Sequence, residues 1–226
     1  MKRVDAPELM DADDLPADTY AAVVGDLARV NRVTLAHRPT LAFLRRAAGK
    51  ATRLKLLDVG FGDGDGLRAI AGWATARGID AELVGIDLNP RSAPAARAHG
   101  PAALPIDYRT GDYADLAGEG WDVIVSSLVA HHMTRAQLVA FLRFMERETS
   151  VGWLVNDLHR HRFAHLGYPL LAGLLRWHPI VRHDGRVSIA RSFTPSEWPP
   201  VLADAGVHHA RVARVFPFRL CVERLH

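Results

Sequence analysis

The sequence predicts an α/β protein in which a doubly wound parallel sheet carries helices on both faces. Three observations lead there. From about residue 51 onward, short apolar runs of strand length alternate with stretches of helical periodicity. The first of these runs, residues 54–59, opens directly into the glycine-rich turn Gly60-Phe61-Gly62-Asp63-Gly64 and then into a helical pattern. Two helix-start boxes, Thr134-Arg135-Ala136-Gln137 and Thr194-Pro195-Ser196-Glu197, punctuate the later runs.

Residues 1–18 hold the acids Asp5, Glu8, Asp11, Asp13, Asp14 and Asp18 against Lys2 and Arg3, and are expected to be a solvated lead-in. Between about 19 and 48, Val23, Leu27, Val30, Leu41 and Leu44 suit helices broken near Pro39, so that 1–50 forms an N-terminal helical cap. Residues 54–59 are a buried strand by length and flanking glycine. Leu67, Ile70, Ala71 and Ala74 then recur at helical spacing. Residues 83–86 repeat the strand signature, and 90–98 reads as a helix opening on Pro90. After the short run 104–108, residues 121–125 and 151–155 are the third and fourth apolar strands. Between them Leu138, Phe141, Leu142 and Met145 share one helix face. The helix after Thr194 should end at Gly206, kinked or restarted at Pro199 and Pro200. Residues 207–215 and 218–222 are the last strand-like runs, with Pro217 between them.

Composition narrows the class. A chain of 226 residues that is 49% hydrophobic, with a net charge of +3, can bury a substantial core and is not a disordered tail. No repeat or low-complexity linker divides it, so 1–226 is expected to be one domain. Cys221 is the sole cysteine, which excludes an internal disulfide and a Cys-based zinc site and suggests a reduced, cytoplasmic setting. The start Met1-Lys2-Arg3-Val4-Asp5 does not read as a secretory leader. The longest charge-poor apolar run, 163–175, falls short of the roughly 20 residues a membrane span requires.

The chemistry concentrates after the first strand. Glycines there allow positive φ and close approach of a ligand to the backbone, and the following helix offers unpaired N–H groups. A dinucleotide fingerprint is not met: counted from Gly60 the third glycine comes one residue early, and counted from Gly62 its place is taken by Leu67. The string Leu56-Leu57-Asp58-Val59-Gly60-Phe61-Gly62-Asp63-Gly64 instead resembles motif I of class I S-adenosylmethionine-dependent methyltransferases. That resemblance implies a seven-stranded sheet with an antiparallel last strand, the two final runs supplying the terminal hairpin. It implies a cofactor-binding core over 51–158 in which Asp58, Gly60, Gly62 and Gly64 form the glycine loop. Asp87, 27 residues after Gly60, would take both ribose hydroxyls. Leu88 would pack on the adenine, Asp112 and Tyr113 would meet its edge, and Ser126 in Ser126-Ser127-Leu128 would line the methionine moiety.

A hydroxyl acceptor needs a base, and histidine is the natural one near neutral pH. His131 and His132 follow the fourth motif directly, one of them expected to hold the turn before Thr134, and His159 follows the fourth apolar strand. Exocyclic base-amine methyltransferases carry an Asn/Asp-Pro-Pro-aromatic motif where this chain has Ser126-Ser127-Leu128-Val129. Catechol-type enzymes hold magnesium with an Asp after that strand, absent here, and a later Asp-Asn pair, which here reads Asn156-Asp157. The spacing of His159, His161 and His165 matches no familiar helical metal site, so no metal is expected.

Residues 159–192 form a helical insertion after the fifth strand, expected to cover the substrate, with 193–226 supplying the last helix and the hairpin. The insertion carries six Arg against one acid, so it holds a charge of +5 while the rest of the chain sums to −2. Phe163, Leu166, Leu170, Leu174 and Trp177 recur at helical spacing, interrupted by Pro169. Such a segment suits a hydrophobic, aromatic acceptor, with His161, His165, Tyr168 and Arg182 as contacts, and equally suits peripheral contact with a membrane surface or a face packed on the core. Asn156-Asp157-Leu158-His159-Arg160-His161, Arg182-His183-Asp184-Gly185 and Arg191-Ser192-Phe193-Thr194 are also similar to small bacterial methyltransferases of phenolic, quinone or polyketide-type metabolites. The expected function is O-methylation of a phenolic, enolic or quinol hydroxyl in lipid or secondary metabolism. C- or N-methylation of a small molecule stands beside it. Two further classes are an NAD(P)-binding oxidoreductase using the glycine loop and a nucleic-acid-binding protein using the Arg cluster. The latter is disfavoured because only Tyr168 and Trp177 accompany that cluster as stacking aromatics. The acceptor, the atom methylated and the oligomeric state are left open.

Overall fold

The computed structural model describes residues 1–12, 14–101 and 104–226; Asp13 of the acidic lead-in lies outside the described residues. The run 54–59 becomes strand β1 (Arg53–Val59). It is apolar without alternation because both its faces are buried. Leu54 and Leu56 enter one hydrophobic layer, Leu57 and Val59 the opposite one. Beside it lie β2 (Asp80–Asp87) and β3 (Ile106–Thr110) in one direction and β4 (Trp121–Ser127) and β5 (Thr149–Leu158) in the other, all parallel. Of the last two strands, β6 (Arg211–Val215) and β7 (Arg219–Leu225), the second pairs antiparallel with both β5 and β6. The seven-stranded order is β3-β2-β1-β4-β5-β7-β6, the expected architecture with its antiparallel final strand.

Two helix layers close the faces. Before β1 come α1 (Ala17–Val33) and α2 (Arg38–Ala48). The crossovers supply α3 (Asp65–Thr75), α4 (Ser92–His99) and α5 (Arg135–Glu148). After β5 stand α6 (Arg162–Leu174), α7 (Pro179–Arg191) and α8 (Trp198–Ala205). On one face Phe141, Leu142 and Met145 of α5 and Trp198 and Leu202 of α8 pack with Trp153, Val155 and Leu57. On the other, Phe43 and Leu44 of α2, Leu67 and Ile70 of α3 and Ala96 of α4 pack with Leu56, Val123 and Leu154. Burial of each large side chain contributes about 1.5–3 kcal/mol. The chain reverses its build direction between β1 and β4, so their carboxyl ends open a crevice, the place where doubly wound sheets bind ligands.

Local chemistry explains the departures from expectation. The box at Thr134 starts α5 as anticipated, with reciprocal bonds to Gln137. The box at Thr194 starts a 3-10 turn (Pro195–Glu197), and α8 begins only at Trp198. Pro199 and Pro200 therefore fall in the first turn of α8, where no N–H is needed, and they produce no kink. Gly206, at φ +73°, ends that helix. Helix α4 begins at Ser92 rather than Pro90, because the Asn89 side chain accepts the Arg91 N–H and folds a turn there. Helix α6 runs on through Pro169, and Trp177 lies beyond its end with its ring turned inward. The lead-in is largely exposed, as expected, with Glu8 its one buried side chain among the described residues, yet it is tied down. The Val4 N–H donates to the Ala190 carbonyl, and the Leu9 and Met10 N–H groups donate to the Asp184 carboxylate at 2.9 Å each, strapping residues 3–10 onto α7. No described helix is long and apolar enough to cross a membrane.

Phe141 is fully buried, with its ring 4.8 Å from that of Tyr113. Phe141→Ala should lower the unfolding free energy by about 3–5 kcal/mol in urea titration, since a cavity would remain where the ring stood.

Candidate active site

A cavity of about 640 Å³ lies over the carboxyl ends of β1, β2 and β4. Its roof is a small second core in which Val23 and Val30 of α1 pack with Ala172, Trp177 and Val181 of the insertion. The insertion thus covers the crevice by packing on α1. From α6, Ala164, Gly167, Tyr168 and Leu171 reach the cavity, and from α7, Asp184, Ser188 and Ile189.

One end is the glycine loop. The Gly60 N–H donates to the Ile86 carbonyl at 2.8 Å, holding the loop against the end of β2. Gly60 has φ +78°, and a Cβ there would come within 2.3 Å of Val129 Cγ2, so only glycine fits. Asp87 accepts N–H bonds from Gly62 and Asn89, both at 2.9 Å; burial raises its pKa and these two bonds oppose the rise. Burial, with the charges of Asp65 and Asp87, pushes the Asp58 carboxyl up to about 7. Asp65 is held by His37 at 2.8 Å and Asn31 at 3.1 Å, and these partners lower it despite its burial. Asp63 is held by Arg68 and His99. The loop is therefore strongly acidic, and its least compensated members, Asp58 and Asp87, favour a cationic ligand group. Leu88 stands exposed on the rim and Tyr113 lines the wall.

At the far end, His131 and His132 close a 3-10 turn after β4. The His131 backbone N–H and Nδ1 both donate to the Asp157 carboxylate at the end of β5, at 2.8 and 2.7 Å. His131 and Asp157 are each about 2% exposed. Burial opposes a charge on His131, but Asp157 and, further off, Glu8 outweigh it and raise the imidazolium pKa to about 9. Glu8, buried under the N-terminal strap, receives the Ser188 hydroxyl at 2.8 Å. This end of the cavity can fix an acceptor oxygen among imidazoles and carboxylates.

The fold brings Asp58, Gly60, Gly62, Asp87, Leu88, Tyr113, His131, His132 and Tyr168 to this cavity. It places the other expected residues elsewhere. Gly64, at φ +73°, precedes α3 with its Cα against the Tyr108 ring, so its glycine serves packing. Asp112 caps the turn Tyr113–Leu116 by accepting the Ala114 N–H. The Ser126 hydroxyl donates to the Val59 carbonyl and ties β4 to β1. His159 bridges Phe193 beneath the hairpin, its pKa lowered by burial, and His161 caps α6 through the Phe163 N–H. His165, which receives Arg186 Nε at 3.1 Å, and Arg182 line a separate groove behind α6 and α7. Tyr168 donates its hydroxyl to the Val181 carbonyl. Asn31, His37 and Glu8 carried no motif that a sequence could flag, and Asp65, the residue after Gly64, was likewise missed.

Comparison with known proteins places this geometry in a class. Residues 56–152 match a family model described as a methyltransferase domain. The whole architecture is shared by the crystal structure of human N-acetylserotonin methyltransferase in complex with SAM, at TM-score 0.65 and 16% identity over 97% of this chain and 59% of that one. It is shared equally by a SAM-dependent methyltransferase from Aquifex aeolicus, at TM-score 0.64 and 17% identity over 91% of this chain and 97% of the other. Residues 56–152 are therefore a methyltransferase domain by that family model, on a fold shared with methyltransferases of known structure. Among curated relatives, the chain is 32% identical to a ubiquinone biosynthesis O-methyltransferase of Cereibacter sphaeroides over 161 residues, 68% of this chain and 60% of the relative. The chain thus spans 60% of the length of the curated relative it matches.

Asp184 accepts both strap N–H groups from a buried position, so Asp184→Ala leaves two donors unpaired. Limited proteolysis should then cut faster within residues 2–12, with a loss of about 1–3 kcal/mol in stability.

Proposed function

We propose that this chain binds S-adenosylmethionine at the acidic glycine loop and methylates a small, largely apolar acceptor held at the His131–His132 end. The observation that carries the proposal is a single cavity joining those two ends. Asp87 is placed to accept the ribose hydroxyls in place of its present backbone donors, Gly60 and Gly62 let the ligand reach the backbone, and Leu88 and Tyr113 flank the adenine. Asp58 offers charge to a ligand cation. S-adenosylmethionine supplies a methyl group on a sulfonium, so the protein's remaining tasks are to orient the acceptor, exclude water and accommodate the acceptor's proton.

The apolar wall of the cavity includes Val24, Leu27, Leu171 and Ile189, which suits an aromatic ring. His131 and His132 stand at the far end of the cavity as the groups placed to orient the acceptor hydroxyl. The relatives that act in ubiquinone biosynthesis support O-methylation of a phenolic or quinol hydroxyl over C- or N-methylation. From Phe163 at the cavity mouth, Leu166, Leu170 and Leu174 continue a stripe on α6; the four are 74, 67, 77 and 79% exposed, with Arg162 and Arg176 exposed near its ends. That stripe supports an acceptor taken from a lipid surface, in peripheral contact.

Calorimetry with S-adenosylhomocysteine tests the cofactor end. Asp87→Ala should weaken binding by about 100-fold, as two charge-assisted hydrogen bonds are lost; unchanged affinity, or stabilisation by NAD(P) instead, would overturn the assignment. A pH dependence follows from Asp58. Its carboxyl is ionised above about 7, and a bound cation favours the ionised form. S-adenosylmethionine affinity should therefore fall as the pH drops through 7, and Asp58→Asn should flatten that profile.

A further inference from the structure

Glu8, His131 and His132 form a constellation that methyl transfer does not by itself require. His131 Nε2 lies 3.6 Å, and His132 Nε2 3.7 Å, from the same Glu8 oxygen, Oε1. The ligand atoms of the three all lie within 4.8 Å of one another. His131 Nε2 is buried, aimed at this centre, and has no hydrogen-bond partner among the described residues. A buried nitrogen left so costs stability unless something else occupies the centre.

The surroundings are those of metal-binding histidines. The other nitrogen of His131 is fixed by Asp157, and Nδ1 of His132 lies 3.4 Å from Asp11 Oδ2. A carboxylate behind each imidazole sets its tautomer and turns the free nitrogen inward. Four-coordinate zinc, with bonds of about 2.0–2.2 Å, holds its ligand atoms about 3.3–3.5 Å apart, so the two separations between Glu8 and the histidines need to contract by only a few tenths of an ångström. Two imidazoles select a borderline transition metal over magnesium or calcium, which prefer oxygen. Neither Asn156-Asp157 nor His159-x-His161, the sets weighed from the sequence, supplies a ligand, although Asp157 orients His131.

We propose that Glu8, His131 and His132 bind one divalent transition-metal ion of the zinc type, with its remaining coordination position open to the cavity. All three residues line that cavity. What the open position does rests on the proposed methyl transfer: it takes the acceptor's phenolic or enolic oxygen as the anion, the hydroxyl proton leaving to solvent as the oxygen binds the ion, and the anion then attacks the sulfonium methyl with release of the thioether. Ion binding itself rests only on the three side chains.

The test uses the full chain, freed of metal by a chelator and then titrated with Zn²⁺ by calorimetry and with Co²⁺ by visible absorption. One ion per chain is expected. Glu8→Gln and His132→Ala should each weaken it by about 100-fold or more, while the surface change His208→Ala with His209→Ala leaves it intact. S-adenosylhomocysteine affinity, measured on the same variants, should be unchanged and reports that they are folded. Absence of stoichiometric binding, or native affinity retained in Glu8→Gln and His132→Ala, would overturn the site. Loss of S-adenosylhomocysteine binding by the native chain, with the ion still bound, would sink the methyl-transfer proposal and leave the metal site standing.

Discussion

The contact on which the acceptor end depends is the pair His131–Asp157. Two donors of one residue, a backbone N–H and a ring N–H, converge on a single buried carboxylate. They join the turn after β4 to the last residues of β5, two strands that reach the crevice side by side. Buried charges are tolerated only when paired and hydrogen-bonded, and this pair meets both conditions. The consequence is directional: with Nδ1 committed to Asp157, Nε2 can only face the cavity and Glu8.

From that point the strap follows. Glu8 is brought in by residues 3–10, whose N–H groups are held by Asp184 of α7. Helix α7 packs in turn on α6 and, through Val181 and Trp177, on α1. The roof over the cavity is thus assembled from both ends of the sequence around the insertion. Its basic excess is partly consumed here: Arg191 donates to the Ala6 carbonyl, and Arg160 to Glu197. Of the insertion's arginines, 160, 186 and 191 thus serve local hydrogen bonds. The cofactor end has the opposite character. Four carboxylates surround the glycine loop, and Asp58 and Asp87 repel one another. A cation there relieves a strain that the free chain carries.

Much of the fold was legible because its signals are local. Strand length, glycine punctuation and the box at Thr134 depend on neighbours within a few residues, and β1, α5 and the loop at Gly60 appeared where expected. Where the reading slipped, a second local rule competed. The prolines at 199 and 200 break a helix interior but suit a first turn, and Asn89 folded a turn where Pro90 suggested a helix start. Asp112 and Ser126, expected at the ligand, satisfy backbone groups in the free chain, since a short polar side chain at a strand end bonds the nearest free N–H or C=O.

The sequence by itself determined the α/β class, the order of strands and helices, and the acidic glycine loop, for each is written within one short window. Tertiary structure alone decided which distant groups meet. Glu8 reaches His131 across more than half the chain, His37 reaches Asp65 from the cap, and His165 and Arg182 turn away to a separate groove. Such meetings are set by how the insertion packs on α1, a matter of side-chain volume and shape at a helix interface that no spacing along the chain encodes.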